Sequence, residues 1–160
     1  MRVTRDGSAP FCLTLCAGRA VARLEGSGYA RAVAEVLVVD DSKIMREMVV
    51  ACLRALSGAA FTHAASGLEA LEKLSLKAFD LVVLDLNMPD IGGYEVLEFV
   101  RSQDKLRSLP ILVVTTRGDE GSKARALESG ASSFMTKPFA PEAILAEARS
   151  LLASAESSTG

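Results

Sequence analysis

Between residues 34 and 153, five short apolar runs alternate with five amphipathic stretches, and this alternation limits the fold more than any other feature of the chain. The runs at 36–39, 61–64, 81–84, 111–114 and 133–136 have the length of strands, and the stretches between them carry apolar residues at helical spacing. Strands separated by helices read as a parallel sheet. The first, third and fourth runs are almost wholly apolar, as expected of strands covered on both faces. The second, Phe-Thr-His-Ala, and the fifth, Ser-Phe-Met-Thr, mix polar and apolar residues and are the natural edges. With right-handed crossovers, the expectation is an α/β fold: a doubly wound five-stranded parallel sheet, order 2-1-3-4-5, with five helices.

The helical stretches carry their own signals. Ser42 is placed to cap the first helix, in which Ile44, Met45, Met48, Val49, Cys52, Leu53 and Leu56 form one expected apolar face. Ser66-Gly67 opens a second, with Leu68, Leu71 and Leu74 inside and an end near Leu76. Tyr94, Leu97 and Val100 line the third. Ala124, Ala126 and Leu127 mark a thinly apolar fourth, and Ile144, Leu145, Ala148, Leu151 and Leu152 the fifth, with Pro141 at a favourable first position.

Composition removes several functional classes. A chain of 160 residues with 49% hydrophobic and 24% charged residues can bury a full core. The net charge is −2, aromatics are few and no basic stripe appears, so nucleic acid is not an expected partner. No run approaches the roughly 18 apolar residues of a membrane span. Three cysteines are too few for a disulfide framework. Cys52 belongs to a core face, and Cys12 and Cys16 lack partners at metal spacing.

Residues 1–33 differ from the rest: five arginines stand against Asp6 and Glu25, and glycine and serine punctuate the segment. A secretory leader fits poorly, because Asp6 interrupts the basic end and Ala17-Gly-Arg-Ala20 is a poor cleavage site. The expectation is a disordered or weakly helical extension over 1–33, a folded domain over 34–153 and a disordered tail over 154–160.

The ends of the strands carry the chemistry. Asp40-Asp41 follow the first, Asp85 the third, Thr115 the fourth and Lys137-Pro138 the fifth. In a parallel sheet all these ends share one edge, and the crevice between strands one and three is where ligands bind in such sheets. At ~5 Å and an effective dielectric near 20, each carboxylate pair repels by roughly 3 kcal/mol. One lysine does not offset three acids. A hard divalent ion does, and Mg²⁺ favours one or two carboxylates, water and a phosphate. Lys137 suits a phosphoryl oxygen as a point charge, and Thr115 can donate to another. A cis bond before Pro138 would aim Lys137 at the site. Gly92-Gly93 allows the loop after Asp85 a close approach. His63, the single histidine, sits in an edge strand with no expected role.

Four fragments then carry a resemblance: Val36-Leu-Val-Val-Asp-Asp-Ser42, Leu84-Asp-Leu-Asn-Met-Pro89, Val114-Thr115 and Lys137-Pro-Phe139. Together they resemble the receiver domain of bacterial two-component response regulators, which has a flavodoxin-like fold. Asp-Asp-Ser followed by Met45-Arg46 resembles the stand-alone chemotaxis type. The resemblance implies that Asp85 accepts a phosphoryl group from a sensor histidine kinase. It implies Mg²⁺ on Asp41, Asp85 and the backbone carbonyl of Asn87, with Asp40 assisting through water. Lys137 would pair with the phosphoryl group, and Thr115 and Phe134 would act as the switch. Asn87 and Arg117 lie where the family tunes the lifetime of the aspartyl phosphate. A downstream protein would read the face of the fourth helix, fifth strand and fifth helix. The implied protein is cytoplasmic, a monomer or weak dimer, and a phosphoacceptor in phosphorelay signalling rather than an enzyme acting on an external substrate. Two other functions compete with this one. An Asp-nucleophile phosphohydrolase would place a second carboxylate where Asn87 stands. A phosphorylation-independent binding module usually lacks one of the acids or the lysine.

Overall fold

The computed structural model describes residues 33–157 in full and the backbone of residues 12–16, 19–23 and 29–30. The chain divides into two compact units, Met1–Val33 and Ala34–Gly160.

In the first unit, β1 (Cys12–Cys16), β2 (Arg19–Arg23) and β3 (Tyr29–Ala30) form an antiparallel sheet in the order β1-β2-β3. Over these residues strands stand where a disordered or weakly helical extension is expected; the rest of 1–32 lies outside the described residues. The overlooked signals are the alternation Arg-Ala-Val-Ala-Arg and its two-residue separation from the run Cys-Leu-Thr-Leu-Cys, a hairpin spacing. The side chains of Cys12 and Cys16 lie outside the described residues.

Among the described residues, the second unit contains ten elements. They are β4 (Ala34–Val39), α1 (Lys43–Leu53), β5 (Ala59–Ala64), α2 (Gly67–Leu76), β6 (Leu81–Leu84), α3 (Gly93–Ser102), β7 (Ile111–Thr115), α4 (Glu120–Glu128), β8 (Ser133–Thr136) and α5 (Pro141–Ser157). All strand pairs are parallel and the order is β5-β4-β6-β7-β8, the expected 2-1-3-4-5 within this unit.

The apolar strands feed two cores by alternation, because successive side chains point to opposite faces. Leu37, Val39, Val82, Leu84, Ile111 and Val113 pack with residues of α2, α3 and α4. Val36, Val38, Leu81, Val83, Leu112 and Val114 pack with residues of α1 and α5. The β4 and β6 strands end in register, Val39 opposite Leu84. Asp40 and Asp85 therefore leave neighbouring strands at one level.

Three helical readings need correction. On α1, Val49, Val50 and Leu53 are buried, whereas Ile44 is 77% and Met48 43% exposed. The helix is rotated so that Val50 replaces Ile44 and Met48 on the buried side. On α2, Ala70 and Leu74 face the core and Leu68 is exposed. Lastly, α5 continues through Ser157, past the expected boundary at 153. Ala153, Ala155 and Glu156 are good helix formers. Ser154 Oγ donates to the Ser150 carbonyl at 2.9 Å and Ser157 Oγ to that of Ala153 at 3.3 Å. Cys52 is half-buried against the α1/α5 core, and burial, followed by nearby Glu142, pushes its thiol pKa up. No described helix is long and apolar enough to cross a membrane.

Candidate functional site

The strand ends bring Asp40, Asp41 and Asp85 together: one carboxylate oxygen from each lies within 4.8 Å of the others. Asp40 and Asp85 are buried and Asp41 is exposed. Backbone bonds fix the levels, since Asp85 N–H donates to the Val39 carbonyl at 2.9 Å and Asp40 N–H to that of Ala64 at 3.1 Å.

Each acid has its own partners. Asp40 Oδ1 accepts from Ser42 N–H at 2.8 Å, and Ser42 Oγ in turn accepts from Met45 N–H at 3.4 Å, capping α1. Arg46 donates to the Asp40 carbonyl at 2.6 Å, so the first turns of α1 hold the acid's backbone from behind. Asp85 Oδ1 accepts from Asn87 N–H at 3.2 Å. Lys137 Nζ is 2.6 Å from Asp40 Oδ2 and 3.5 Å from Asp85 Oδ2. Its backbone N–H donates to the Thr115 carbonyl at 2.8 Å, and the Lys137–Pro138 bond is cis.

Burial pushes the Asp85 carboxyl pKa above its usual value; Asp40 pushes the same way, and the Asn87 N–H and Lys137 pull it back. Burial therefore outweighs the lysine at this oxygen pair. Lys137 lies closer to Asp40 than to Asp85, which leaves the three-acid cluster short of positive charge. Clustered hard oxygen donors with excess negative charge are what Mg²⁺ requires.

Glycine makes the approach of the next loop possible. A Cβ on Gly93 would lie 2.5 Å from the Asp85 carbonyl and 2.7 Å from Leu86 Cα, both backbone atoms. No side chain fits there without moving the end of β6. Phe134 is half-buried and packs against the core that contains Ala126 of α4.

One contact at the site is not legible in the sequence. The Asn87 side-chain amide donates to Thr115 Oγ1 at 3.1 Å and to Thr116 Oγ1 at 2.9 Å. It ties the loop after β6 to the end of β7. The available signal was a pair of polar residues after neighbouring strands, which does not specify a contact until the loop path is known.

The sequence profile of the response regulator receiver domain matches residues 36–149. Chemotaxis protein CheY1 of Helicobacter pylori is 35% identical over 111 residues, covering 69% of this chain and 90% of that one. The sensor histidine kinase CheAY of the same organism is 37% identical over 109 residues, 67% of this chain and 13% of the kinase. The crystal structure of Vibrio cholerae chemotaxis protein CheY4 superimposes with a TM-score of 0.70 at 38% identity, covering 75% of this chain and 99% of that one.

Proposed function

This chain belongs to the response regulator receiver family, and on that premise we propose that it is a phosphoryl-operated switch with Asp85 as its acceptor. The observation that carries the reading is the meeting of Asp40, Asp41 and Asp85 with Lys137 at one sheet edge. The phosphoryl donor is a phosphohistidine of a sensor histidine kinase. An Asp85 carboxylate oxygen attacks phosphorus as the phosphorus–nitrogen bond breaks, leaving an acyl phosphate and free histidine. Such transfers depend on positioning and charge neutralisation more than on covalent help.

Asp41, Asp85 and the backbone carbonyl of Asn87 would hold Mg²⁺, with Asp40 assisting through water. The ion, when bound, supplies positive charge to the phosphoryl oxygens. Lys137 is within reach of both buried acids and transfers its charge from Asp40 toward the new dianion. Thr115, fully buried at the end of β7, donates its hydroxyl to a phosphoryl oxygen, a strong acceptor. Phe134 has no hydroxyl, so its contribution to the switch is packing under α4.

The surface formed by α4, β8 and α5 then presents the signal to a protein partner. The chemotaxis names of the relatives support a role in chemotaxis or motility. A phosphohydrolase reading gains no support, since Asn87 stands where a second acid would be needed as proton donor. Incubation with acetyl phosphate and Mg²⁺ should add one phosphoryl group, mapped by borohydride trapping to Asp85. A chain left unmodified, or modified at another residue, would refute the proposal.

A further inference from the structure

We propose that Asn87 is a positioning residue that presets the Thr115 hydroxyl as a donor toward the phosphoryl group on Asp85. The inference rests on the phosphoacceptor reading above and concerns recognition of the phosphoryl group, separate from its lifetime. Thr115 is 0% exposed. Its Oγ1 accepts from the Asn87 amide at 3.1 Å and, more weakly, from Arg117 N–H at 3.4 Å. A hydroxyl has two acceptor lone pairs and one proton. With both lone pairs facing donors, the proton is directed elsewhere. Among the described residues, Thr115 Oγ1 accepts these bonds and donates none.

A buried hydroxyl proton without an acceptor is costly, and a phosphoryl oxygen on Asp85 relieves that cost. Asn87 is well placed to align the two. Its backbone N–H binds Asp85 Oδ1 at 3.2 Å while its side chain holds Thr115. The second amide proton is used on Thr116 Oγ1 at 2.9 Å, so the amide is gripped at both hydrogens and does not swing freely.

The test is a double-mutant cycle read by beryllofluoride, a phosphoryl mimic, at saturating Mg²⁺. Affinities are measured for wild type, Asn87→Ala, Thr115→Val and the double variant. Asn87→Ala should weaken binding about tenfold, the effect of one oriented hydrogen bond. In the Thr115→Val background the same change should have no further effect, and in a Thr115→Ser background, which retains the hydroxyl, it should weaken binding again. Independent, multiplying effects of Asn87→Ala and Thr115→Val would overturn the inference, as would tighter binding by Asn87→Ala, which would make the amide a restraint. Failure of the wild-type chain to bind beryllofluoride would instead overturn the phosphoacceptor reading, and this inference with it.

Discussion

The helices α3 and α4 lie on the same side of the sheet, yet they are held in opposite ways. Gly93, Val96, Leu97 and Val100 of α3 are all buried. Its last turn adds Arg101, whose guanidinium donates to the carbonyls of Gly130, Leu109 and Arg107 at 2.6–3.1 Å. Of α4, only Ala126 is buried. Its first turn is secured by the Tyr94 hydroxyl, which donates to the Ser122 carbonyl at 3.3 Å, and its last turn by Arg125, stacked 4.1 Å from the Tyr94 ring centroid. One helix is anchored by apolar area and the other by a few polar contacts from its neighbour. A helix with so little buried surface can be repositioned at small cost, which suits α4 to report a change at Thr115 and α3 to stay as the frame.

The largest effect should separate the two helices directly. Leu97→Ala removes a fully buried side chain and should cost about 3 kcal/mol in urea unfolding. Leu127→Ala on α4, where the leucine is 42% exposed, should cost less than about 0.5 kcal/mol. Equal losses would erase the contrast.

A smaller effect, of opposite sign, is expected at the site between them. Burial holds the Asp85 pKa up, so the folded state penalises its charged form. Asp85→Asn should therefore stabilise the metal-free protein at neutral pH, raising its melting temperature above that of the wild type. Because the folded pKa lies above the unfolded one, the ionised wild type bears the full penalty above the folded value. The advantage of the variant should shrink as pH falls through that value toward the unfolded one, about 3.9. Melting curves across this window check it; an advantage that grows on acidification would contradict the assignment. The smallest change is Tyr94→Phe, which deletes one hydrogen bond to α4. It should cost about 1 kcal/mol or less and speed amide exchange in the first turn of α4 while leaving α3 unchanged.

The strand order was readable because burial on both faces leaves a compositional mark: Leu81–Leu84 and Ile111–Thr115 are almost pure hydrocarbon, whereas His63 and Ser133 betray edges. The acid cluster was readable for a related reason, since parallel register puts strand ends at one level. The rotation of α1 was not. Ile44 and Met48 fit a helical stripe as well as Val50 does, and only the docked helix shows which face meets the sheet. The strands over 12–16, 19–23 and 29–30 are hard to read because glycine, serine and arginine punctuate a segment whose alternation is short. The Asn87–Thr115 bond depends on the loop path after β6, which Gly93 controls through a close approach that sequence spacing does not encode.

The most direct test is hydrogen exchange on the intact chain, with and without Mg²⁺ and beryllofluoride together. Loading Asp85 should alter exchange in the β7–α4 loop and the first turns of α4, leave the α3 core amides unaltered, and have no effect in Asp85→Asn. Bound beryllofluoride that shifts α3 as much as α4, or neither, would contradict a switch running from Asp85 to α4.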